Sequence, residues 1–381
     1  MRRSDTKILT THVCSLPYLV ELDKAAPDYP AKLADAVAAV VEKQRACGID
    51  IINEGEYAKG GDWLSYIEDR FGGFEARPPK PGAKHLLAQG KDREDFAEFY
   101  QYATEKGTLF YEPGGLIRRM RPSWVCTAPI TYKAEAALQR EIALLKNALK
   151  PGEEGFVTTT APASLEPYRG NEFYKSEEEF LAAIGAAMRV EYQAIVAAGL
   201  VLQVDDAWLP ALWDRIGMAM GLEAFRKRCM LRVELLNDAL KGIPEDRIRY
   251  HLCWGSWHGP HAYDLEMKDI VDVMLAVKAG AYSFEAANAR HEHEYTVWES
   301  VKLPAGKVIL PGVITHSTDV IEHPDLVAQR IVRFAKLVGK ENVIASADCG
   351  FGGRSHPQIA WAKLKALGDG AKIATRELKY A

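Results

Sequence analysis

The sequence predicts an α/β fold, a (β/α)8 TIM barrel with a long excursion after the second strand. Three observations carry this. Short apolar runs alternate with amphipathic helical segments along most of the chain, and that alternation implies a parallel sheet. Eight such units fit within the 381 residues, as a closed barrel requires. No Gly-rich dinucleotide fingerprint follows the first apolar run, which disfavours the alternative, a doubly wound open sheet.

In order, the expected strands are Ile8–Leu16, Ile49–Glu56, Phe156–Pro162, Leu200–Ala207, Ile248–Gly255, Ala281–Asn288, Val308–His316 and Asn342–Gly350. Helices expected between them include Ala31–Arg45, Glu177–Ala198, Glu223–Lys241, Asp269–Ala279 and Pro324–Leu337. The stretch 71–122 is rich in Gly, Pro and charge, and reads as an inserted excursion beyond the barrel's catalytic face. A ninth apolar run, Val125–Thr131, closes it, either as part of the excursion or as one of the eight strands. Residues 1–381 are read as a single barrel domain, with no repeat of 20–50 residues and no low-complexity tract.

Composition bounds the function. Hydrophobic residues make up 48% and charged residues 26%, ordinary values for a globular enzyme. Net charge is −4 and the basic residues are scattered, which argues against nucleic acid as the main partner. The small cluster Arg118, Arg119 and Arg121 reads as solvated surface, with an anion anchor as the minority reading. No unbroken run of about 18 apolar residues appears, and no apolar signal core follows the charged start, so no membrane partner and a cytoplasmic location are expected. Six dispersed cysteines in such a chain read as reduced thiols or metal ligands. Cys47 and Cys229 fall in helix-like surroundings and read as core. Oligomeric state is open, and a homo-oligomer is compatible with the sequence.

The chemistry-bearing residues lie late in the chain. His251 and Cys253 are two apart on an expected strand, so both side chains point to one face. Imidazole and thiolate are ligands that zinc prefers, although one such pair is a weak signal. Later strands end in Glu285, His316 and Cys349. Strand ends converge at the mouth of a barrel, so a tetrahedral site from His251, Cys253, Glu285 and Cys349 is expected. The bland alternative makes Glu285 a helix cap and Cys349 a small buried residue. An ion already neutralised by two thiolates is a poor activator of water, but it still deprotonates a bound thiol and leaves the sulfur nucleophilic. S-alkylation therefore suits such a site better than hydrolysis, and Glu285 is a resting ligand that the thiol could displace.

Five segments extend the pattern: Thr10-Thr-His-Val-Cys-Ser-Leu-Pro17, Gly48-Ile-Asp-Ile-Ile-Asn-Glu-Gly-Glu-Tyr57, His251-Leu-Cys-Trp-Gly-Ser-Trp-His-Gly-Pro-His261, Arg290-His-Glu-His-Glu294 and Asp348-Cys-Gly-Phe-Gly-Gly-Arg354. Through these the chain resembles the zinc barrel of the cobalamin-independent methionine synthase superfamily over nearly its whole length. Within it, the chain looks closest to the epoxyalkane:coenzyme M transferases. The resemblance implies that His251, Cys253 and Cys349 bind zinc and that Glu285 matches a zinc-ligating carboxylate. It implies that Ser15, Glu56 and Asp205 hold the carboxylate and amino group of homocysteine, and that His316 supplies a proton to the departing group. Three departures count against methyltetrahydrofolate as the alkyl donor. The second barrel of complete methionine synthases is missing, Cys14 replaces a Gly beside Ser15, and the segment Ala161–Tyr168 lacks the family's Trp.

The first expectation is therefore a zinc-dependent transferase that adds an alkyl group from an epoxide to a small thiol such as coenzyme M. Its sulfonate would need a cation, from Arg118, Arg119, Arg121 or Arg354. The alternative is methyl transfer to homocysteine, as in methionine synthesis. A third is a non-catalytic barrel with structural zinc. His258 and His261 stand next to His316 as proton donors, His291 and His293 follow Glu285 closely, and Trp254, Trp257 and Tyr57 are candidates for a water-excluding wall.

Overall fold

The computed structural model describes residues 1–60, 64, 66–78, 89–111 and 123–380. Its strands are β1 (Leu9–Thr10), β2 (Ile51–Ile52), β3 (Phe71–Arg77), β4 (Ser123–Tyr132), β5 (Glu154–Thr160), β6 (Arg169–Asn171), β7 (Val201–Asp206), β8 (Ile248–Leu252), β9 (Ala281–Phe284), β10 (Val308–Ile314) and β11 (Ile344–Ala347). Eight of them form one sheet in the order β1-β11-β10-β9-β8-β7-β5-β2, every pair parallel. The two outer strands meet: the Asp50 N–H donates to the Thr10 carbonyl at 3.0 Å, and the Thr11 hydroxyl donates to the Ile51 carbonyl at 3.0 Å. The result is the nearly closed (β/α)8 barrel the sequence predicts.

The barrel is filled in layers. Leu9, Ile51, Phe156, Val201, Ala281, Val308, Leu310 and Ile344 form its apolar floor. Above this lies Arg249, its guanidinium 4.0 Å over the Phe156 ring, donating to the Thr11 hydroxyl and the His12 carbonyl. Two residues on along β8, on the same face, stands His251. The period-2 alternation thus takes β8 from a packed floor to the open mouth.

Helices wrap the outside. Tyr29–Ala46, Glu177–Ala197, Leu222–Ala239 and Pro324–Val338 fall within two residues of their expected ends. Helix Glu177–Ala197 begins at Ser176, whose hydroxyl accepts the Glu179 N–H at 3.1 Å. It is long and apolar enough to cross a membrane by length and composition. Here its apolar stripe Phe180, Ile184, Met188, Tyr192 and Ile195 is buried in the core, each side chain contributing about 1.5–3 kcal/mol. The expected helix Asp269–Ala279 shrinks to Val271–Leu275. Asn237 stops it from the neighbouring helix, donating to the Ala276 carbonyl and accepting the Lys278 N–H.

The excursion builds its own small sheet. β3 pairs antiparallel with β4, which pairs with β6. The ninth apolar run therefore belongs to the excursion and not to the barrel. From Ala97–Lys106 the excursion returns to the mouth, where Tyr100, Ala103 and Leu109 pack on Trp257. The His258 N–H donates to the Leu109 carbonyl at 2.9 Å, and the Trp257 indole N–H to the Tyr100 hydroxyl at 3.0 Å. Arg118, Arg119 and Arg121 lie outside the described residues.

Several strands are shorter than expected at their C-terminal ends, because the chain leaves the ladder there to build the mouth. Beyond β1, residues 13–16 are gripped from both sides. The Asn53 side chain donates to the Cys14 carbonyl, and the Leu16 N–H to the Gly55 carbonyl. Opposite, the Phe351 and Gly352 N–H groups both donate to the Ser15 carbonyl. Only glycine fits at Gly350, since a Cβ there would stand 2.6 Å from Cys14 Sγ and 2.7 Å from Ser15 Oγ.

Candidate functional site

Three strand ends deliver His251, Cys253 and Cys349 to one point, with their ligand atoms all within 4.8 Å of one another. The sulfurs of Cys253 and Cys349 are 3.9 Å apart. A tetrahedral zinc with bonds to sulfur of about 2.3 Å sets its two sulfurs about 3.8 Å apart. All three residues are buried, and neither ring nitrogen of His251 has a hydrogen-bond partner. A buried imidazole with both nitrogens unmatched is costly unless something binds it. The donor set, the spacing and the orphaned imidazole all fit a metal ion. Cys349 is also held well below the usual thiol range, because the thiols of Cys14 and Cys253 point at it and outweigh burial.

Glu285, expected as a fourth ligand, stands outside this group of three. Its Oε1 accepts the Trp254 N–H at 3.0 Å and lies 3.8 Å from Cys253 Sγ, and its Oε2 accepts from the Asn288 amide at 2.8 Å. Each carboxylate oxygen thus accepts one of these hydrogen bonds and keeps a further lone pair. Burial, reinforced by Asp348 and Cys349, pushes its pKa up to about 8.

The same sulfurs line a cavity that also holds Ser15, Glu56, Asp205 and Arg354. Glu56 reaches it by a tight backbone turn. Asn53 accepts the Gly55 N–H, and Gly55 and Glu56 both have positive φ, 74° and 60°. For a glutamate that conformation is strained, and such strain collects at functional sites. The Thr158 hydroxyl then fixes the carboxylate, donating at 2.5 Å. Asp205, the last residue but one of β7, lies in register with His251 and accepts from the Gln203 amide at 2.6 Å. Burial raises its pKa to about 7. Asp206, next to it, is structural: it accepts from Ser164 and Tyr250.

His316 is buried close to Cys349 but does not line the cavity, and its Nδ1 has no partner. Burial pulls its pKa down to about 3, so the ring is neutral, with one N–H and one acceptor nitrogen. His261 differs. Burial works against its charge, but Asp264, 3.0 Å from Nδ1, outweighs burial and raises the pKa. Its ring stacks on Trp257 at 4.1 Å. His291 is locked between Asp264 and Glu294.

Of the three aromatic residues expected to form a wall, only Trp257 lines the cavity. Trp254 is fully buried, its N–H on the Leu265 carbonyl, and Tyr57 donates to the Pro17 carbonyl. The other wall residues are Phe110, Tyr168 and Trp208, with Ser256 beside Trp257. The sequence reading does not single out Trp208, Phe110 or Ser256. Trp208 had a usable signal, since it follows the end of a barrel strand by two residues. Phe110 had none, because its place depends on the excursion folding back.

Comparisons with known proteins agree with the fold. The family model for the cobalamin-independent synthase catalytic domain matches residues 154–373, more than half of the chain. A methionine synthase from Saccharolobus islandicus is 24% identical over 92% of this chain and 87% of its own length. One from Sulfurisphaera tokodaii is 23% identical over 91% and 83%. The solved structure of a B12-independent methionine synthase from Shewanella sp. W3-18-1, in complex with selenomethionine, superposes with a TM-score of 0.72 at 18% identity, covering 98% of this chain and 99% of that one. A Listeria monocytogenes structure described as a vitamin-B12-independent methionine synthase gives 0.65 at 18% identity, over 96% and 98%. These relatives favour the methyl-transfer expectation over the epoxide one. The chain belongs to the cobalamin-independent synthase family, whose catalytic domain it carries.

Proposed function

We propose that this protein is a zinc-dependent S-methyltransferase of the methionine synthase type, acting on a small amino-acid thiol of the homocysteine class. The observation that carries the reading is the convergence of His251, Cys253 and Cys349 beside a cavity that also holds Ser15, Glu56 and Asp205. A zinc ion held by the first three supplies a position at which a substrate thiol loses its proton and stays nucleophilic.

The remaining work falls to the chain's own groups. Glu56, fixed by Thr158, and Asp205, fixed by Gln203, face a substrate ammonium group. Ser15, clamped by the Phe351 and Gly352 N–H groups, offers its hydroxyl to a carboxylate. Trp208, Trp257 and Phe110 exclude water from the reacting sulfur and give the donor an aromatic wall. In the reaction the sulfur forms a bond to the methyl carbon while the bond from that carbon to the donor's nitrogen breaks, and the departing nitrogen gains a proton. His316, buried near Cys349, and His261, whose charged form Asp264 stabilises, are the candidate sources of that proton, and neither ring lines the cavity.

The test is a metal assay followed by turnover. Homocysteine with methyltetrahydrofolate, and coenzyme M with epoxypropane, are offered separately while thiol loss is followed. About one zinc per chain and thiol loss with homocysteine are expected. Turnover only of coenzyme M with the epoxide would replace methyl transfer by ring opening. Zinc without any turnover would favour a structural ion.

A further inference from the structure

Lys59 is buried in the helical turn that follows Glu56, its side chain 1% exposed. Burial works against its charge, but Glu141, then Glu56 and Glu54, outweigh burial and raise its pKa, so it stands as an ammonium. An ammonium has three N–H donors and no acceptor. Its Nζ donates to the Thr158 carbonyl and, at 2.8 Å, to the Thr158 hydroxyl, and it pairs with Glu141 Oε1 at 3.4 Å.

That arrangement decides the direction of a proton. The Thr158 hydroxyl has a single hydrogen. Because Lys59 can only give, the hydroxyl accepts from Nζ, and its own hydrogen is left for Glu56 Oε1, 2.5 Å away. A hydroxyl that accepts from a cation is also polarised into a stronger donor. Without the ammonium, the hydroxyl could rotate and turn a lone pair on the carboxylate.

Lys59 is held in place from outside the cavity. Arg70 grips Glu141 from the other side at 2.5 Å, and it pairs with Glu191 at 2.5 Å. The row Glu191, Arg70, Glu141, Lys59 and Thr158 ends at Glu56, and of these six only Glu56 lines the metal cavity.

We propose that Lys59 is a positioning residue for the recognition of the substrate's ammonium group: it turns the Thr158 hydroxyl toward Glu56 and so holds that carboxylate where the ammonium meets it. The inference rests on the reading of Glu56 above and names the residue behind the cavity wall that sets its direction. Lys59 itself touches no substrate. A role confined to neutralising Glu141 would act on every thiol alike.

Calorimetric binding of homocysteine and of its desamino analogue, 4-mercaptobutyrate, to the zinc-loaded protein tests this without any methyl donor. The wild type is expected to bind homocysteine about tenfold or more tighter than the analogue. Lys59→Met should cut that preference by about fivefold or more while leaving the affinity for 4-mercaptobutyrate within about twofold. Thr158→Val should do the same, and Thr158→Ser, which keeps the hydroxyl, should retain the preference. Adding Lys59→Met to Thr158→Val should change the preference by less than about twofold, since both act through one hydroxyl. Glu141→Gln removes the ion pair but keeps Lys59 and Thr158, and it should retain the preference. If Lys59→Met does not fold, Lys59→Met combined with Glu141→Gln, which removes both charges of the pair, takes its place with the same expectation. Four results overturn the proposal and leave thiol binding and the role of Glu56 intact: an unchanged preference without Lys59, equal weakening of both thiols, additive effects of Lys59→Met and Thr158→Val, or a preference lost in Glu141→Gln. A wild type without preference overturns the role of Glu56 together with the proposal. No binding of either thiol overturns the thiol reading as well.

Discussion

The sulfurs of Cys253 and Cys349 lie 3.9 Å apart although 96 residues separate them in the chain. Each follows a different barrel strand by one or two residues, β8 and β11 respectively. The barrel, not any local motif, sets their distance. Cys349→Ser should therefore lose metal without losing the barrel. We expect zinc content to fall from about one per chain to near zero after dialysis against a mild chelator, with affinity weakened by more than the 10–100-fold typical of outer-shell partners. Metal analysis alongside circular dichroism checks this. Retention of full zinc by a folded Cys349→Ser protein would remove Cys349 from the ligand set.

Glu56 is held in the left-handed region at φ 60°, with its carboxylate fixed by the Thr158 hydroxyl. If that carboxylate pairs with a substrate ammonium, Glu56→Gln should raise KM for homocysteine by about tenfold or more and leave kcat nearly unchanged. The same substitution should leave KM for the desamino thiol 4-mercaptobutyrate within about twofold. Equal effects on both thiols would show that Glu56 acts on the shape of the cavity and not on the amino group.

How far the site could be read from the sequence follows from these two cases. His251 and Cys253 are legible because a spacing of two on a strand gives a shared face, and Cys349 because strand ends meet at a barrel mouth. The direction of Glu56 is not legible. It depends on an Asn53 turn and two consecutive positive-φ residues where the sequence suggests an unbroken strand. Glu285 looks like a ligand from its place at a strand end, and the structure sets its Oε1 3.8 Å from Cys253 Sγ, with hydrogen bonds from Trp254 and Asn288 orienting the carboxylate. Strand lengths are overestimated because apolar residues continue past the last ladder pair into buried mouth loops. The paired set β3 and β4 is long-range in sequence, so the role of the ninth apolar run waits on its partner.

Gly255, two residues past Cys253, lies at φ +98°, and a Cβ there would stand 2.0 Å from the Trp257 ring. Its N–H lies 3.3 Å from Cys253 Sγ, so this backbone supports both the metal position and the wall. Gly255→Ala forces both backbone strain and displacement of the indole. We expect destabilisation by more than about 2 kcal/mol and a loss of thiol alkylation larger than the loss of zinc. Thermal melts, metal analysis and turnover on one preparation separate the three effects. A variant with wild-type melting and turnover would show that Trp257 moves aside freely.

Glu54 gives a prediction about pH that does not depend on the metal. Its side chain is fully buried and neither oxygen has a hydrogen-bond partner. Burial, with the nearby Glu141 carboxylate adding to it, raises its pKa from 4.5 to about 8. The sign follows from proton counting. Between those two values the folded state keeps the proton and the unfolded state has lost it, so this group's contribution to stability falls as pH rises. The slope is on the order of 1 kcal/mol per pH unit, and it ends once the folded carboxyl has also ionised above about pH 8. Glu54→Gln keeps the shape and cannot titrate. The melting temperature of the variant relative to the wild type should therefore rise steadily from pH 5 to pH 8. A difference that stays flat across that window would mean that Glu54 is ionised in the fold, with a partner supplied by solvent.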